Sequence, residues 1–218
     1  MTWPDFRAEL RLPRSERNAV NFLAHLHLSD PDPHARIGSM LADFVKGPDF
    51  DKLPKTIQAG VRTHRLVDAF TDSHPLVNRS IARISRDWGW FSGIIIDVYY
   101  DHILAKNWDR YSTVPLRTFA DEAYEVLLDG IEFWNDEDKP FLRKFISTDR
   151  LVSYATVSGI AETMYRVSKV VAMRIPKRAL PLEQSMPLLT ELHDELTADF
   201  SGFYPELQQR LQPQAKPM

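Results

Sequence analysis

The chain has 218 residues, 44% of them hydrophobic and 11% aromatic, which is enough to bury one substantial core and does not force a second domain. Its 27 basic residues against 30 acidic ones leave a formal charge of −3, which excludes a global polycation that holds nucleic acid by counterion release. The absence of cysteine removes disulfides, thiolate metal sites and cysteine nucleophiles together, and fits a reducing compartment.

The opening MTWPDFRAELRLPRSER mixes charges and has no apolar run, so it does not read as a secretory signal; residues 1–18 read as an N-terminal extension. The longest apolar block, FSGIIIDVYY, is interrupted by Asp97 and is too short to span a bilayer. A cytoplasmic protein without a membrane partner is the expectation. Apolar spacing is helical along the chain, and eight glycines are too few for a turn-rich sandwich. The expected fold is all-α, a single multi-helix domain over residues 19–208 with a flexible tail at 209–218.

The first helix is expected through NAVNFLAHLHLS, stopping at the prolines of DPDP. ARIGSMLADFVKG should form the next and close at Gly47-Pro48. A third is expected over residues 55–71, a fourth over 76–88, and a fifth through FSGIIIDVYYDHILAKNW, apolar on nearly every face and therefore central. Further helices are expected over 116–130, 136–148, 151–172 and 182–203. Six of the seven histidines lie before Trp108, so the chemistry is expected in the first half, with the second half supplying packing, a lid or partner contacts.

Five side chains recur at helical spacing: His64, Asp68 and Asp72 in THRLVDAFTDSHP, then Asp97 and Asp101 in IDVYYDH. A step of four residues advances about 400° around a helix, so each series lines one face. A lone His-x-x-x-Asp is usually a solvated stripe. Here Asp43 sits within the apolar SMLADFVKG, and Asp97 and Asp101 within an apolar helix, where unpartnered charge is costly. Three helices offering acids from apolar settings point to a shared divalent metal that activates water, with Asp43, His64, Asp68, Asp97 and Asp101 as candidate ligands. Imidazole and carboxylate without sulfur favour Mn²⁺, Fe²⁺, Co²⁺ or Zn²⁺ over an all-oxygen cage for Ca²⁺.

His102 diverges from Asp101 by about 100°, so the two reach different partners; a core histidine bonded to a backbone carbonyl is the alternative for His102. His25, flanked by apolar residues, reads as a ligand or general acid, with His27 turned away. Arg79, Arg83 and Arg86 share one helix face, a dock for an acidic partner or a phosphate-bearing substrate. Esterase elbow, Walker A and dinucleotide fingerprints are absent.

In order and spacing, NFLAHLHLS, LADFVKG, HRLVDAFTDSHP and DVYYDHILAKNW resemble the bacterial acyl carrier protein phosphodiesterases, strongly over residues 21–108 and loosely beyond. That family is distantly similar to the all-helical HD-type metal phosphohydrolases, so the resemblance implies an HD-domain-like fold. It further implies hydrolysis of holo acyl carrier protein to apo carrier protein and 4′-phosphopantetheine, with Mn²⁺ as cofactor. His25, Asp43, His64, Asp68, Asp97, Asp101 and His102 all fall within its motifs. In the mechanism expected on that basis, His25 or His102 protonates the leaving serine oxygen and Arg65, or Arg62, neutralises phosphate charge. The acidic carrier protein docks on Arg79, Arg83 and Arg86. An HD-like phosphohydrolase of a nucleotide or another small phosphoester, and a non-catalytic helical binding protein, are the alternatives.

Overall fold

Every residue of the helix Ser92–Lys106 except its last is buried, as its all-round apolar composition requires, and the remaining helices are arranged around it. The computed structural model describes residues 21–174 and 176–211. The first half holds α1 Phe22–His27, α2 Pro33–Leu41, α3 Pro48–Lys52, α4 Lys55–Ser73, α5 Pro75–Trp88 and the central α6 Ser92–Lys106. The second half holds α7 Leu116–Asp129, α8 Lys139–Ser147, α9 Arg150–Ser153, α10 Val157–Arg174, α11 Met186–Glu191 and α12 His193–Leu211. No strand occurs among the described residues, and their buried apolar side chains form one cluster, so the all-α, single-domain expectation holds. The extension at 1–18 and residues 212–218 of the expected tail lie outside the described residues, while 209–211, also expected in the tail, are the end of α12. No described helix is long and apolar enough to cross a membrane.

Three elements differ from their expected extents. Helix α2 stops at Leu41, whose carbonyl accepts from Phe44 N at 2.8 Å and Val45 N at 3.1 Å, so Asp43 stands in a turn rather than on a helix. After Gly47, at φ 52°, a short extra helix α3 follows. The helix expected over 151–172 breaks after α9, because the Thr156 hydroxyl accepts from Gly159 N at 3.0 Å and starts α10 afresh. The helix expected over 182–203 divides into a 3₁₀ turn at Leu182–Ser185, then α11 and α12.

Two contacts position the parts that matter for function. Helices α2 and α4 meet backbone to backbone through Gly38 and Gly60. A Cβ on Gly38 would stand 2.1 Å from the Ile57 carbonyl oxygen, and one on Gly60 2.1 Å from that of Ala35. This close approach sets the turn after α2, with Asp43, against the middle of α4.

The second contact fastens α12 to α5. The buried Asp199 carboxylate accepts from Arg79 Nε at 2.8 Å, also from Arg79 Nη2, from Ser80 Oγ at 2.9 Å and from Arg83 Nε at 3.4 Å. Tyr100 of α6 donates to Ser80 at 2.9 Å and brings the central helix into the network. Burial alone would raise the Asp199 carboxyl, but the bonds from Arg79, Ser80 and Arg83 outweigh it and hold it below the ordinary 3.8.

Gly60→Ala should therefore lower stability by about 1–3 kcal/mol, although alanine is the better helix former by about 1 kcal/mol, because the clash is with backbone that cannot turn aside. Urea denaturation checks this; a more stable variant would mean that α2 and α4 are not in contact. Asp199→Asn should lower Tm by roughly 3–8 °C at neutral pH. Because the folded-state carboxyl lies below its unfolded value, its contribution is complete above pH 3.8 and is lost as the pH falls further. The gap between wild type and variant should therefore close on acidification and stay level from about pH 5 to 8.

Candidate active site

Two imidazoles from different helices lie face to face within the first half of the chain. His25 of α1 and His64 of α4 stack with ring centroids 3.6 Å apart and an interplanar angle of 11°. Asp68, one turn on from His64, serves both: its Oδ1 lies 3.3 Å from His25 Nε2 and its Oδ2 3.5 Å from His64 Nε2. From the turn after α2, Asp43 Oδ1 reaches to 3.6 Å from His64 Nε2. Both histidines are buried, while the Asp68 side chain is 28% exposed and gives the cluster its opening to solvent.

The cluster fits a divalent metal. One donor atom each from His25, His64 and Asp68 lie within 4.8 Å of one another, and ligands about 2.0–2.2 Å from a common ion stand roughly 3–4.4 Å apart. Neither ring nitrogen of His25 makes a hydrogen bond, and its Nε2 is close to Asp68 without being aligned for one; His64 Nδ1 also lacks a partner. A buried polar atom left this way costs about 1–3 kcal/mol, and a shared ion on the Nε2 side would offset that cost for His25 Nε2. Without one, a proton takes its place: burial pushes His64 down, but the carboxylates of Asp68 and Asp43 outweigh it and hold the ring up at about 10. His25 is driven down, first by burial and then by its charged neighbour His64.

His25 owes its position to Asp101. Helix α1 has six residues, and Asn21 at its N-cap offers no side-chain bond. The cap comes instead from the central helix, where Asp101 Oδ2 accepts from Leu23 N and Oδ1 from Ala24 N, both at 2.9 Å. Burial drives this carboxyl up to about 8, the two N–H bonds pull it back, and Asp97 adds to the rise. At the other end of the site, Ser39 of α2 donates to the His25 carbonyl at 3.0 Å.

The remaining candidates are distributed as follows. Asp97 and Asp101 are outside the His25–His64–Asp68 cluster; both line a neighbouring pocket with Ala24, Val67, Thr71 and Tyr204. The α4 series is thus completed by α1 and the Asp43 turn rather than by α6. His102 bonds through Nδ1 to the Tyr154 carbonyl at 2.7 Å, a core histidine, and its ring lies near Tyr99 and His193 rather than in the cluster. His27 turns away to the Tyr204 hydroxyl at 2.7 Å, and His74 caps α5 by accepting from Leu76 N. Arg65 is exposed, with its guanidinium 5.0 Å from the Phe50 ring centroid, and Arg62 is exposed on the same helix. Arg79 and Arg83 are bound to Asp199, leaving Arg86 exposed at the end of α5. Asp199 escaped the sequence reading although it bears the mark that singled out Asp43, an acid set among apolar residues.

Over residues 20–207 the chain matches the family model described as acyl carrier protein phosphodiesterase. Proteins named acyl carrier protein phosphodiesterase are similar to it in Pectobacterium atrosepticum, at 33% identity over 192 residues (87% of this chain, 96% of the relative). One from Photorhabdus laumondii is 31% identical over 193 residues (88% and 94%), and one from Yersinia pestis 33% over 195 residues (88% and 98%). No solved structure matches the chain, so the HD-like part of the fold expectation finds no structural counterpart. A match along nearly the whole helical domain, in relatives covered almost end to end, means that the chain belongs to the acyl carrier protein phosphodiesterase family and is a phosphodiesterase.

Proposed function

We propose that the chain hydrolyses the phosphodiester joining 4′-phosphopantetheine to the serine of holo acyl carrier protein, releasing apo carrier protein and 4′-phosphopantetheine. The observation that carries this reading is the convergence of His25, His64 and Asp68. Those three residues, with Asp43 beside His64, would hold a divalent metal, Mn²⁺ in the first instance. When bound, it would supply Lewis-acid activation of water and of the phosphodiester. The family leaves the non-catalytic alternative without support.

The protein's own groups divide the remaining work. Asp68 bridges both imidazoles and keeps their Nε2 atoms on one side, while Asp43 orients His64 from the turn. Arg65, exposed and adjacent in sequence to His64, would offset phosphate charge. Asp101 is a positioning residue that acts through α1 on His25. His102, committed to Tyr154, belongs to the packing.

Incubation of the purified protein with holo acyl carrier protein, with and without Mn²⁺, followed by intact mass of the carrier protein, tests the reaction. Metal-dependent loss of the phosphopantetheine mass is expected; an unchanged mass with folded, Mn²⁺-loaded enzyme would overturn the proposal. Asp68→Asn should abolish tight Mn²⁺ binding and activity together.

Asp101→Asn should behave differently. It should keep one-to-one Mn²⁺ binding, with affinity weakened about 10- to 100-fold, and lose thermal stability because α1 has no other cap. Calorimetric titration with Mn²⁺ separates the cases: loss of binding matching that of Asp68→Asn would make Asp101 a ligand instead.

A further inference from the structure

Helix α4 carries the metal-site residues on its inner side and an uncovered seam on its outer side. Lys55, Ala59, Arg62, Leu66, Ala69 and Ser73 are all exposed, and their alternating steps of four and three residues place them in one line along the helix. Helices α2, α5 and α12 pack on α4, and none of them covers this line. At its middle Leu66 is 58% exposed. Ala69 follows it on the line and Ala59 lies beyond Arg62, so at these two positions no long side chain keeps a second helix at a distance.

The charge on this seam has one sign. Every exposed ionisable residue of α4 is a cation: Lys55 and Arg62 on the line and Arg65 beside it. Among the described residues Lys55 bonds to the neutral Gln58 at 3.3 Å, and Arg65 lies over Phe50. Among the other basic residues, Arg79 and Arg83 are paired with Asp199 and Arg166 with Glu162 at 2.8 Å.

We propose that the outer seam of α4 is the docking surface for an acidic helix of the protein substrate, received with its apolar ridge on Leu66 and its carboxylates toward Lys55 and Arg62. The proposal rests on the carrier-protein reading above. Complementarity in spacing and in charge identifies this occupant. A bilayer surface would call for a broad apolar face, whereas the seam offers one large apolar side chain. Docking here sets the partner one helix diameter, about 10 Å, from His64 and Asp68, a gap that a flexible prosthetic arm must cross to reach them.

Ala59→Glu and Leu66→Glu, two exposed positions outside the site, test the proposal. The readouts are steady-state kinetics on holo acyl carrier protein and on bis(4-nitrophenyl) phosphate, both with Mn²⁺. Each variant should raise KM for the carrier protein roughly tenfold while leaving kcat and turnover of the small diester unchanged. The salt dependence of KM should flatten in both. Unchanged KM in both variants overturns the docking surface, as does an equal loss on both substrates. Capture of the wild type by phosphatidylserine vesicles, lost in Leu66→Glu while KM stays constant, would assign the seam to a membrane. A wild type inactive on holo carrier protein but active on the small diester would remove the carrier-protein reading, and this inference with it.

Discussion

A six-residue helix is too short to persist by its own hydrogen bonds, yet α1 must hold His25 in stacking contact with His64. The structure solves this with a buried carboxylate. Asp101, on the one helix enclosed on every side, takes the free N–H groups of Leu23 and Ala24 in the first turn of α1 with both of its oxygens, where the positive end of the helix dipole also favours negative charge. In a low-dielectric setting these bonds are strong and their loss is expensive. The placement of His25 thus depends on a group that lies outside the His25–His64–Asp68 cluster.

His64 and Asp43 are positioned by different means. The glycine contact between α2 and α4 is a steric device: two helix backbones touch only where neither carries a Cβ, and that sets how far along α4 the Asp43 turn arrives. The Asp199 network is electrostatic and fixes α12 over the pocket next to the cluster. Helix α4 is where these constraints meet. Its inner face is committed to His64, Asp68 and the helices behind them, which leaves the outer face as the part of this helix available to another molecule.

Much of this was legible in the sequence, and the failures have physical reasons. A step of four residues on a helix is enough to align His64 with Asp68, and the acid set among apolar neighbours marked Asp43; both signals are local. Which second helix completes the site is a tertiary question. An α6 apolar on every face gives no amphipathic direction, so nothing local could show that Asp97 and Asp101 line the neighbouring pocket with Val67 and Thr71 of α4 rather than join His64 and Asp68. The arginine face of α5 was visible, but its buried partner lies more than a hundred residues away on α12. The break before α10 was readable in principle, since Thr156 three residues ahead of Gly159 is an N-cap pattern.

The dipeptide Asp101-His102 shows why order along a helix matters more than the presence of a motif. Adjacent helical residues diverge by about 100°, and here the two side chains have different partners. Asp101 turns to the amino end of α1, and His102 turns to the carbonyl of Tyr154, just past α9. One reaches a helix of the first half and the other a segment of the second, from neighbouring positions on the helix at the centre of the core. The Asp101-His102 pair on α6 therefore joins the two halves of the chain around the cluster, while the i, i+4 spacing that enters the cluster belongs to His64 and Asp68 on α4.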